Sequence, residues 1–154
     1  MALKPDRVTI DTSIDYFMNQ TANRGGVVSV LTAGSGAAMD QSVQAVHYDT
    51  SPSGATPVGI LLSEVVNLDL TRQHENWHKE ERQQGGKVTI LVKGQVTTDH
   101  LASGITVTAG QGAYLGAEGR ITNVNTGAAA SPKIGTFHST INELGFAKVS
   151  VNLP

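Results

Sequence analysis

Lys87-Val88-Thr89-Ile90-Leu91-Val92-Lys93-Gly94-Gln95-Val96 is the clearest β-strand signal in the chain, a β-branched run that opens directly after the glycine pair Gly85-Gly86. From Gly86 onward the same pattern repeats. Strand-like runs are expected at Val88–Val96, Ile105–Thr108, Ala113–Leu115, Arg120–Val124, Ile134–His138 and Ala147–Leu153, broken by glycines such as Gly94, Gly104, Gly116 and Gly145. Turn signals spaced by ~8–12 residues are the mark of a β-sandwich or small barrel. Upstream, Gly26–Leu31, Val43–Tyr48 and Val58–Leu62 read as further strands, and Asp49–Pro57, with two prolines and a glycine, reads as a surface loop within one domain. No periodic helix longer than a few turns is visible, so the expected fold is all-β, a compact small barrel or sandwich with at most one or two short helices.

The residues just before that strand spell a different chemistry. His74-Glu75-Asn76-Trp77-His78 has the H-E-x-x-H spacing that, on a helix, brings two imidazoles to one zinc ion with the glutamate beside a bound water. The surroundings argue against it. A helix over 72–83 carries Trp77 as its single large apolar side chain, so nothing buries it in a core. Glu81 and Gln84 stand where a metzincin has glycine and its third histidine. His47, His100 and His138 offer no recognisable spacing. The plainer reading is a solvated helical turn or polar loop, with a Glu75–Lys79 pair and a cap at Gly85. On an assembly, Arg72 and Trp77 are residue types suited to an exposed contact.

The chain of 154 residues is expected to be one domain that buries ~70% of its unfolded surface. It has no cysteine, so no disulfide framework or thiolate metal site is available. Eleven basic against thirteen acidic residues, with no basic cluster, argue against nucleic acid as a partner. No apolar run approaches the ~18 residues of a membrane span, and Met1–Arg7 lacks the apolar core of a signal peptide. The expectation is a soluble protein made in the cytoplasm. Gly34-Ser35-Gly36 after a strand hints at dinucleotide binding, but Met39 occupies the place of the third glycine and no βαβ pattern follows. Neither a nucleophile elbow nor a Walker A loop occurs. No enzyme and no cofactor are expected.

Residues 1–24 read as a polar, irregular N-terminal arm ahead of a single β-rich domain over 25–154. The arm carries an apolar knot at Ile14, Tyr16, Phe17 and Met18. It serves either as a staple onto the chain's own core or as an arm that docks on another subunit.

Several strings together resemble a known family: Asp15-Tyr16-Phe17-Met18-Asn19, Arg24-Gly25-Gly26-Val27-Val28, Gly34-Ser35-Gly36-Ala37-Ala38-Met39-Asp40-Gln41, Asn67-Leu68-Asp69-Leu70-Thr71-Arg72-Gln73 and Gln84-Gly85-Gly86-Lys87-Val88. They look like the capsid decoration (cement) proteins of tailed bacteriophages, particularly those infecting cyanobacteria and other aquatic bacteria. The glycine-punctuated C-terminal part resembles the β-tulip fold of such proteins. The resemblance implies a non-enzymatic virion protein made in the host bacterial cytoplasm. It would bind the outer surface of an assembled head, as a homotrimer more than a dimer, and clamp neighbouring major capsid subunits. The contact residues expected on this basis are Tyr16, Phe17, Met18, Arg24, Arg72 and Trp77, with His74, Glu75 and His78 taken as a coincidental spacing. Two other classes stand beside it: a tail or fibre glycan-binding β-module, for which one tryptophan and three tyrosines are a poor supply, and a zinc hydrolase through His74, Glu75 and His78.

Overall fold

The long strand predicted after Gly86 runs from Lys87 to Thr98 and carries the rest of the molecule on its two edges. The structure is a computed structural model and describes residues 3–4, 7–18, 20–31, 44–67, 80–125 and 132–153. In chain order its strands are β1 (Val8–Met18), β2 (Val27–Val30), β3 (Gln44–His47), β4 (Pro57–Leu61), β5 (Glu64–Val66), β6 (Glu81–Gln83), β7 (Lys87–Thr98), β8 (Gly112–Leu115), β9 (Ile121–Thr122), β10 (Lys133–Phe137) and β11 (Ala147–Asn152). The all-β barrel or sandwich expected from the sequence is what forms, and the one short helical element among the described residues is a 3-10 turn at Ala117–Gly119.

Nine strands form one sheet in the order β1-β3-β2-β4-β7-β11-β10-β8-β9, and β1 also pairs with β7. That extra pairing closes β1-β3-β2-β4-β7 into a five-stranded ring. Along one edge β7 holds β1, from Val8 opposite Gln95 to Phe17 opposite Lys87. Along the other it holds β4 at Ile90 and Leu91, then β11 from Lys93 to Thr98. The change of partner falls at Val92, whose carbonyl accepts the Leu153 N–H.

The side-chain pattern follows from this geometry. Met18, Val28, Val46, Leu61, Val88 and Ile90 fill the ring. Leu91 and Val96 of β7, with Val27 and Ile60, face the opposite way and pack with Leu115, Ile134, Phe137 and Val149 in a larger core. The wall β2-β4-β7 is therefore apolar on both faces, which is why Ile90 and Leu91 are both buried although neighbours on a strand point apart.

Three expectations differ from the structure. Val8–Met18 is a strand, not irregular chain. Its sequence does alternate, with Val8, Ile10, Thr12 and Ile14 between polar partners, and the edge of β7 supplies the ladder. Ile105–Thr108 forms no ladder. Val107 reaches the larger core, but the Thr106 carbonyl and the Thr108 N–H are satisfied by the side chains of Asn123 and Gln111. Glu81–Gln83 belongs to no helical turn: it is β6, parallel to β5, and Gly85 at φ 87° sits in the turn leading from it into β7. A strand with no apolar residue leaves no period to read.

Candidate contact surface

Strand β1 presents the most exposed apolar strip of the described residues. Val8 is 52% exposed, Ile10 74% and Ile14 61%. Three register breaks interrupt the β1–β7 ladder; the one between Thr9 and Asp11 leaves out Ile10, and the one between Ser13 and Tyr16 leaves out Ile14 and Asp15, so Ile10 and Ile14 sit at irregularities of the pairing. Thr9, Asp11 and Asp15 are exposed as well. Over its first half the strand is thus held to β7 by its backbone, while both of its side-chain faces meet solvent.

Its ends are fixed by chemistry. At the N-terminal end Leu3 is buried in the larger core and the Lys4 N–H donates to the Thr97 carbonyl at 3.0 Å. Arg7 donates to both carboxylate oxygens of Glu80, at 2.7 and 3.3 Å, and Arg24 donates to the same carboxylate at 2.6 Å. The Arg7 hydrogen bond is the largest influence holding the Glu80 carboxyl below its usual range, opposed by partial burial and aided by the charges of Arg7, Arg24 and Arg82. Glu80 itself has φ 53°, an uncommon conformation for a side chain of this kind. At the other end Met18 is fully buried inside the ring.

These positions sort the contact residues expected from sequence. Tyr16 is half-buried and packs against the ring core. Phe17 is half-buried beneath Lys87, whose Nζ lies 5.7 Å from the ring centroid. Met18 is a core side chain and Arg24 is engaged with Glu80, so neither stands free at the surface. Arg72 and Trp77, like His74, Glu75, His78 and the Gly34–Gly36 motif, lie outside the described residues. Among the described residues no group of three or more His, Asp or Glu comes together as a metal site, and no helix is long and apolar enough to cross a membrane. Ile14 was named in the apolar knot, but Val8, Ile10, Arg7 and Glu80 were missed. The alternation of β1 could have revealed the first two, whereas a pairing across more than seventy residues leaves no local mark.

A cleft of about 460 Å³ opens at one end of the ring, lined in part by Asn23, Tyr48, Glu64, His100 and Glu118. The Tyr48 hydroxyl donates to the Asn23 carbonyl and accepts from the Gly26 N–H at 3.1 Å; burial pushes its phenol far above the usual value. His100 packs on Tyr48 with ring centroids 5.0 Å apart, and its Nε2–H donates to the Glu118 carbonyl at 3.1 Å. Burial, the largest cause, lowers the His100 pKa and favours neutral imidazole. A Cβ at Gly26 would strike both rings, so glycine is required for this packing. The Tyr48 hydroxyl and the His100 Nε2 are thus committed to backbone, and the cleft ties together the connections after β1, β3 and β7.

No family model matches the chain, and no curated protein matches it. Among solved structures it is similar to a chain described as "The capsid of Myoviridae Phage XM1", with a TM-score of 0.52 at 15% sequence identity, over 99% of this chain and 92% of that one. At that identity the likeness concerns the fold, and it extends across nearly the whole of both chains.

Proposed function

We propose that this chain is a structural protein of a tailed-phage virion, a decoration protein of the β-tulip type. In this reading it binds the outer surface of the assembled head and stabilises it by clamping neighbouring major capsid subunits. The observation that carries the reading is the end-to-end fold likeness to a phage-capsid chain. It is supported by the apolar strip of β1, since three exposed apolar side chains on one strand of a well-packed body offer a surface suited to a protein partner. The chain divides functionally near residue 24, with the contact element upstream and the β-body over 25–154. Tyr16, Phe17, Arg24, Arg72 and Trp77 belong to the contact region together with Val8, Ile10 and Ile14, while Met18 braces it from inside. Self-association as a trimer would multiply weak single contacts across a symmetric lattice.

The test is direct imaging. Purified protein is mixed with undecorated phage heads and examined by electron cryomicroscopy. Ordered density on the outer face of the head is expected; density confined to tails, or none on heads at saturating protein, overturns the reading.

A further inference from the structure

Strand β1 alternates apolar and polar residues as a strand does when one face is covered, yet its apolar residues Val8, Ile10 and Ile14 are 52%, 74% and 61% exposed. It is kept in place by a backbone ladder to β7 interrupted at three points, by the buried Leu3 and Met18 at its ends, and by the Arg7–Glu80 pair. Everything that receives it lies on the far side of the short connection Gln20–Asn23, in which Gln20, Thr21 and Asn23 are exposed. That includes the edge of β7, the strand β3 opposite Tyr16–Met18, and Glu80. A second copy of the chain presents the identical receptor.

We propose that Leu3–Met18 exchanges between copies of the chain, each β1 lying along the β7 of a neighbouring copy. The occupant is set by charge as well as by shape. In the exchanged pair, Glu80 holds Arg24 of its own body and receives Arg7 from the incoming strand, so one carboxylate joins the two chains. Exchange reproduces the β1–β7 ladder and the ion pair of the closed chain, while the bonds that hold the connection, Ala22 to Val65 and Asn23 to Tyr48, must rearrange for it to open; its balance is governed by the effective concentration of the tethered strand, on the order of millimolar for a short connection. Dilute chains therefore stay closed, and crowded ones exchange. Short connections promote such exchange. This inference rests on the β1–β7 pairing and stands apart from the capsid reading, since its test uses no heads.

The natural chain has no cysteine, which makes a disulfide trap clean. One chain carries Arg7→Glu and Val8→Cys; the other carries Glu80→Arg and Gln95→Cys. Neither restores the ion pair alone, but β1 of the first on the body of the second does, and so does the reciprocal pairing. Val8 and Gln95 are register partners, at the Cα separation of ~4.5–5.5 Å that a disulfide accepts. The two chains are refolded together at increasing concentration, oxidised, and resolved without reductant. A mixed disulfide that rises with concentration is expected. A yield no greater than that obtained when Leu144→Cys, at an exposed turn outside the β1–β7 ladder, replaces Gln95→Cys overturns the proposal. If the charge variants fail to refold, Val8→Cys and Gln95→Cys in otherwise natural chains give the same readout against the same control.

Discussion

Glu80 is the residue on which the N-terminal segment depends, and its electrostatics give a signed prediction. Its carboxyl titrates below its ordinary 4.5 because Arg7 donates to it and Arg24 lies beside it. Above that ordinary value the carboxylate is charged in both the folded and unfolded chain, and the pairing contributes fully. As pH falls, the unfolded chain takes up the proton first, so the contribution shrinks and is gone once pH passes below the folded pKa. With the side chain 39% exposed, screening limits the effect to about 1 kcal/mol or less. Urea titrations should therefore show that Glu80→Gln costs little at acid pH and most near neutrality. A cost that is the same at every pH would show the pair to be energetically idle. Gly94 makes a second, purely steric case: at φ 147° inside β7, a Cβ there would collide with the Val8 carbonyl oxygen. Gly94→Ala should destabilise by roughly 1–3 kcal/mol and speed amide exchange in Val8–Asp11, whereas unchanged exchange there would mean that β1 does not lie against β7 at this point.

At the scale of elements, legibility followed burial. The run Lys87–Val96 announced β7 because β-branched residues fill it and a core presses on both faces. Strands β2 and β4 were legible for the same reason, and β10 and β11 through one buried face. The strand β6 was not, since Glu81-Arg82-Gln83 has no apolar residue and is held by main-chain pairing to β5. For β1 the alternation was present, but an apolar face that stays in solvent reads as irregular when a buried one is sought. Of the proposed contact region, the sequence singled out Ile14, Tyr16, Phe17, Met18 and Arg24, but neither the burial of Met18 nor the pairing of Arg24 with Glu80 was legible, because burial and a partner as distant as Glu80 are decided only by the closed ring. The exposed face now makes a prediction proper to the strand. Ile10→Asp with Ile14→Asp should change stability by no more than about 0.5 kcal/mol per site, as surface substitutions do, while abolishing ordered density on heads. Intact binding by a stably folded double variant would remove β1 from the contact surface. Lowered stability would show instead that the strip is already buried in the free protein.

For the whole molecule, the decisive feature is that two cores share one wall. Ile90 points into the ring and Leu91 into the larger core, one residue apart on β7, and β7 also carries β1, β4 and β11. If the wall transmits packing, the cores cannot unfold separately, because losing either face of β7 exposes the other. Ile90→Ala and Leu91→Ala should each cost about 2–5 kcal/mol, the range for truncating a buried aliphatic side chain. More telling is where the loss is felt. Native-state hydrogen exchange should show equal reductions in protection at Val46 in the ring and at Val149 in the larger core for both variants, as expected of one cooperative unit. A pattern in which Ile90→Ala weakens only Val46, and Leu91→Ala only Val149, would divide the body into two modules joined by a strand. A body that is a single unit can carry load from one contact to another without yielding between them. A protein that clamps neighbouring subunits needs this property, so coupling between Ile90 and Leu91 is the mechanical premise of the proposed role.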